Sequence, residues 1–132
     1  MPFGTTSSGR FVSDLNAGRL QSFSFITPNL CHDTHDCSVA TGDAWLKAVV
    51  GRILASATYR AGRTALVITW DEGFGSTNQV AMIVVAPSVK RGARSSTRFD
   101  HYSLLRTTEE MLRLAKLGHA VSAASMRSAF HL

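Results

Sequence analysis

No stretch of the 132 residues is apolar for long enough to cross a bilayer, so a transmembrane segment is not expected. The chain does not start with a basic patch followed by an apolar run, so no signal peptide is read. Residues 1–13 are rich in Gly, Ser and Thr and are expected to form a disordered lead-in to one domain. Acidic residues are few: nine Asp+Glu stand against 14 Lys+Arg, and eleven of those cations are Arg spread along the chain. No basic stripe with interleaved aromatics accompanies them. A nucleic-acid partner is therefore not expected, whereas a basic surface that attracts anionic substrates is. Also missing are a Gly-x-Ser-x-Gly elbow, a Gly-rich loop ending in Lys-Ser/Thr, and any evident activated nucleophile.

Cysteine is scarce too. Only Cys31 and Cys37 are present, six positions apart around a His/Asp cluster. A disulfide is the favoured reading, worth about 2 kcal/mol for so short a loop and implying an oxidising compartment. Free thiols and metal thiolates are the alternatives, the second disfavoured because the spacing is unlike a zinc knuckle.

What is present falls into strand-like and helix-like runs. Residues 22–27 alternate and are aromatic-rich, which predicts a strand ending at Pro28. A helix is expected to open at Asp43 as N-cap, run to about Arg60, and stop at Gly62. Residues 64–69 and 80–86 are nearly continuous apolar runs, the mark of strands buried on both faces. A polar, basic loop over residues 90–98 separates them from a second helix over 101–117, capped by Asp100 and ended by Gly118, with Leu104, Leu105, Thr108, Met111, Leu112 and Ala115 inward. The Ala/Ser-rich tail holds one further helical turn, with Phe130 docking.

Strand, helix and strand in that order make a βαβ unit, which predicts an α/β fold with a mainly parallel sheet flanked by helices. Both acidic loops then leave from one sheet edge. So few strands leave open edges, as in one flank of a larger sheet.

The two loops carry the chemistry. Asp71 and Glu72 follow a strand as adjacent hard-oxygen donors suited to a divalent cation, with Trp70 and Gly73 shaping a wall and a turn. His32, Asp33, His35 and Asp36 are dense in ligand-type residues. One imidazole oriented by neighbouring carboxylates fits better than two metal-bound ones, and His35 is favoured over His32. His101 reads as structural, and His119 and His131 as surface histidines.

The strings TPNLCHDTHDC (27–37), SVATGDAWL (38–46), TWDEG (69–73), VVAPS (84–88) and HYSLLRTTE (101–109) resemble the phosphoesterase family of bacterial acid phosphatases and phospholipases C. Five motifs occur in the family's order, from about Asp14 to the end. The resemblance implies an alkaline-phosphatase-like α/β sandwich of which residues 14–132 are the carboxyl-terminal segment.

It also implies a site: Asp71 and Glu72 as ligands of a divalent metal ion, His35 as an active-site histidine, and His32 and Asp33 lining the same pocket. The family's upstream Glu-Asn motif and its Ser or Thr nucleophile are not found here, and Gln79 stands where relatives often carry His. The expectation is a phosphoric ester hydrolase chain acting on phosphate esters and inactive alone, either a truncated gene product or a piece that assembles with a separately encoded N-terminal half. Its setting would be extracellular or periplasmic. The alternatives are a non-catalytic anion- or metal-binding module and a hydrolase that uses metal-bound water.

Overall fold

The computed structural model describes residues 3–132, in two compact units, Met1–Arg63 and Thr64–Leu132.

In the first unit, α1 (Arg10–Asn16) follows Gly9, whose φ of 104° suits glycine at the helix entry. Phe11, Val12 and Leu15 are buried, as is Asp14, which Arg10 holds at 2.6 Å. Phe3 stacks on Phe11 with ring centroids 4.7 Å apart. The segment read as a lead-in thus carries packed rings and the start of a helix; its residues 1 and 2 lie outside the described residues.

Helix α2 (Val39–Ala55) starts earlier than expected. Ser38, not Asp43, is the N-cap, its Oγ accepting from the Thr41 amide, so Asp43 lies inside the helix. Val49 and Ile53 point into the core. Ser56 then breaks the helix with extended backbone and caps α3 (Ala57–Arg60) through the Tyr59 amide. Gly62, at φ 75°, ends the run with its N–H on the Tyr59 carbonyl, as the sequence indicates.

Residues 22–27 form no strand. The backbone is irregular, and Phe23 and Phe25 are 55% and 81% exposed, their rings 6.4 Å apart. Alternation favours an extended chain, but a strand exists only where another strand pairs with it. Among the described residues none does.

The second unit contains β1 (Leu66–Thr69) and β2 (Met82–Val85), paired antiparallel with Leu66 opposite Val85 and Thr69 opposite Met82. The mainly parallel, alkaline-phosphatase-like sandwich is therefore corrected: the described residues hold a two-stranded antiparallel sheet. The reason is topological. A parallel pair needs a crossover of a dozen or more residues, usually helical, whereas residues 70–81 return the chain directly as a hairpin loop. Without a first strand at 22–27, the βαβ unit that was to bring both loops to one sheet edge does not form. The strands are half-buried rather than covered on both faces, and Ile83 is half exposed.

Helix α4 (His101–Leu112) opens as expected at Asp100. The Asp100 carboxylate accepts from the Ser103 amide at 2.9 Å while Ser103 Oγ accepts from the Asp100 amide, a reciprocal cap. It ends at Arg113 in the left-handed region, before the expected Leu117, and Gly118 begins a 3-10 turn (Gly118–Val121) instead of closing the helix. A final turn, α5 (Arg127–Phe130), sets Phe130 6.2 Å from Phe99.

The covered face of α4 is not the expected apolar stripe. Leu105 and Met111 are exposed, and Ser103, Thr107 and Glu109 are buried. Polar contacts to the C-terminal segment explain this. Thr107 Oγ1 accepts from the Met126 amide, Arg106 donates to the Val121 and Ala123 carbonyls, and Ser125 donates to Glu110. The Ser125 hydroxyl, and then the Arg106 guanidinium, hold the Glu110 carboxyl below the usual carboxylate range. No helix among the described residues is long and apolar enough to cross a membrane.

Candidate functional site

The first loop is closed by the Cys31–Cys37 disulfide, Cα atoms 4.7 Å apart, which decides among the readings of the two cysteines. Inside it the chain bonds to itself. Asn29 accepts the His32 amide on both its side-chain and backbone oxygens, the Asp33 carboxylate accepts the His35 amide at 2.8 Å, and the Asp36 amide reaches the Leu30 carbonyl. Thr34 turns the chain through φ 76°.

This geometry separates the two histidines. His32 stacks on Trp45 of α2 with its ring nearly parallel, 5.7 Å between centroids. His35 is exposed and pairs through Nδ1 with the Asp36 carboxylate at 2.8 Å. The Asp36 carboxylate at Nδ1 orients the ring. The first turn of α2 abuts this loop: a Cβ on Gly42 would collide with Thr34 Cγ2 and lie 3.0 Å from the His32 carbonyl oxygen.

The second loop joins β1 to β2. Asp71 accepts the Glu72 amide on Oδ1, the Gly73 amide donates to Asn78 Oδ1 at 2.7 Å, and Asn78 adopts φ 45°. The Gln79 backbone crosses so near Gly73 that a Cβ there would overlap it. Gln79 thus shapes the loop through its main chain. His101, the first residue of α4, reaches the Asp71 carbonyl with Nε2 at 2.8 Å, and since a carbonyl only accepts, that nitrogen carries the proton.

His101, read from the sequence as structural, holds the main chain of the acidic loop.

Asp71 and Glu72 are both exposed. Their donor chemistry suits a divalent cation, but two carboxylates are fewer than a resident ion needs. Among the described residues no group of three or more His, Cys, Asp or Glu is arranged to hold a metal. The residues present do not complete a metal centre.

Residues 3–115 match the Phosphoesterase family, a span that includes both loops and α4. The chain belongs to the phosphoesterase family. Among curated relatives, this family member is 36% identical over 115 residues to the phosphatidylinositol-3-phosphatase of Mycobacterium tuberculosis, covering 86% of this chain and 37% of that protein. It is 32% identical over 113 residues to a probable acid phosphatase of Kluyveromyces lactis, covering 82% of this chain and 27% of the relative. To an acid phosphatase of Aspergillus fumigatus it is 26% identical, covering 82% and 25%. This phosphoesterase-family chain therefore spans from a quarter to little more than a third of the length of these relatives. No solved structure matches it.

Proposed function

We propose that this chain supplies the carboxyl-terminal share of a phosphate-ester hydrolase site, of phosphatase or phospholipase C type. The observation that carries the reading is the His35–Asp36 pair, held in a cross-linked loop within the family match. His35 acts as the proton donor to the leaving oxygen, with Asp36 holding Nδ1 and Asp33 holding the His35 amide. His32, flat against Trp45, lines the loop.

Asp71 and Glu72 would hold a divalent cation through two oxygen ligands, with its remaining ligands from polypeptide beyond these residues, and such an ion would supply neutralisation of negative charge on a phosphoryl group. The nucleophile belongs to that other polypeptide as well, either continuous with this chain or separately encoded. The disulfide supports an oxidising setting, extracellular or periplasmic.

The test is turnover of a chromogenic phosphomonoester, a phosphodiester and phosphatidylinositol 3-phosphate, with and without divalent metal. The chain is assayed alone and co-expressed with the N-terminal portion of a family relative. Background rates alone and metal-dependent turnover in the pair, lost in Asp71→Asn/Glu72→Gln and reduced at least a hundredfold in His35→Ala, are expected. Full turnover by the chain alone overturns the shared-site reading. With no metal centre completed among the described residues, the alternative is a non-catalytic anion-binding module; phosphate binding without turnover in either preparation would establish it.

A further inference from the structure

We propose that the second unit docks on anionic phospholipid bilayers through the basic loop that precedes α4 and the aromatic tip of the hairpin loop. Residues 90–98 are where the cations of this chain are densest: Lys90, Arg91, Arg94 and Arg98 occur with no acidic residue among them. All four are exposed, and among the described residues none of them forms an ion pair. Beside them, Phe74 at the tip of the hairpin loop is fully exposed, between Gly73 and Gly75, and Trp70 is 39% exposed.

One hydrogen bond brings the two loops together. Arg98 stands three residues before His101, and Phe74 three residues after Asp71. His101 Nε2 is 2.8 Å from the Asp71 carbonyl. Three residues of chain span at most about 10 Å, so Arg98 and Phe74 each lie within that reach of the bond, and Arg94, Arg91 and Lys90 continue back along the same loop.

The segregation of the two kinds of side chain points to a membrane. A platform for single-stranded nucleic acid alternates cations with aromatics along one groove, so that each base finds a ring beside its phosphate. Here the cations occupy one loop and the rings another. That arrangement suits an interface in which headgroup phosphates lie over the basic loop and a ring enters the acyl boundary. Asp71 and Glu72 oppose an anionic surface, but the four cations outnumber them.

The proposal does not rest on hydrolysis, and its test reads binding alone. The full chain is floated with phosphatidylcholine vesicles, with or without phosphatidylserine as a third of the lipid. Each basic residue at an anionic surface is worth on the order of fivefold in affinity, so Arg91→Gln/Arg94→Gln is expected to weaken binding about 25-fold. Phe74→Ser is expected to weaken it several-fold at every ionic strength, and added salt to weaken the wild type. Lys47→Gln/Arg63→Gln, which removes the same charge elsewhere, stays within about twofold of wild type.

Equal binding to both vesicle types, or none to either, overturns the proposal. So does an equal loss in Lys47→Gln/Arg63→Gln. Binding that an oligonucleotide abolishes and Phe74→Ser leaves unchanged assigns the two loops to polyanions instead, and also overturns it.

Discussion

The loop that holds His35 is cross-linked and hydrogen-bonded largely to itself between Asn29 and Cys37, whereas the loop that holds Asp71 and Glu72 takes its shape from Asn78, Gln79 and, thirty residues on, His101. The first stores its geometry in covalent structure and local turns, and takes from α2 a glycine that lets it approach and the Trp45 ring beside His32. The second is assembled by tertiary contacts, so the position of its carboxylates follows that of α4. On the proposed function, an imidazole that delivers a proton gains from being fixed in advance, and carboxylates that complete their coordination with other groups gain from a backbone that responds to its neighbours.

Several substitutions would break this contrast, the severest at Gly73. A Cβ there meets backbone, not a movable side chain, so Gly73→Ala is expected to destabilise the second unit by about 3 kcal/mol in denaturant unfolding and leave amide protection in the first unit unchanged. Reduction of Cys31–Cys37 does the converse. About 2 kcal/mol of stability is expected to vanish from the first unit, read as lost amide protection around residues 29–37 with the hairpin unaffected. Asn78→Ala removes the acceptor for the Gly73 amide and leaves a left-handed residue without its favoured side chain. Its expected cost is about 1–2 kcal/mol, confined to the hairpin loop.

Gly42→Ala sharpens the comparison because two effects oppose each other. Alanine gains about 1 kcal/mol of helix propensity, but crowding against Thr34 and the His32 carbonyl costs about 1–3 kcal/mol, so a small net loss is expected in thermal melting. Smallest is the acid response of the second unit. The Glu110 carboxyl titrates below its ordinary value of 4.5, so its contribution is complete above that pH and is lost as pH falls through the lowered value. Melting temperature measured down the acid range should fall less steeply in Glu110→Gln than in the wild type.

Local signals were legible in the sequence, and long-range ones were not. Asp100 and Gly62 announce a cap and a stop because their chemistry acts within four residues, and the apolar runs around residues 66–69 and 82–85 do become strands. Ser38 outcompeted Asp43 as N-cap because the disulfide loop ends immediately before it, a tertiary circumstance that spacing alone does not reveal. The parallel sheet failed for the same kind of reason: strand direction depends on which segments pair, and residues 22–27 found no partner. At the candidate site, the Asp36 pairing and the Trp45 stack set the two histidines apart. The reach of His101 to Asp71 spans a distance along the chain that no local pattern encodes.

The stack of His32 on Trp45 also gives the molecule an optical readout. The chain has two tryptophans, one against the disulfide loop and one at the base of the acidic loop. Emission from Trp45 reports the contact with the disulfide loop, while Trp70 reports the other loop. With Trp45→Phe or Trp70→Phe, a fluorimeter follows either loop separately, without a dye and without turnover.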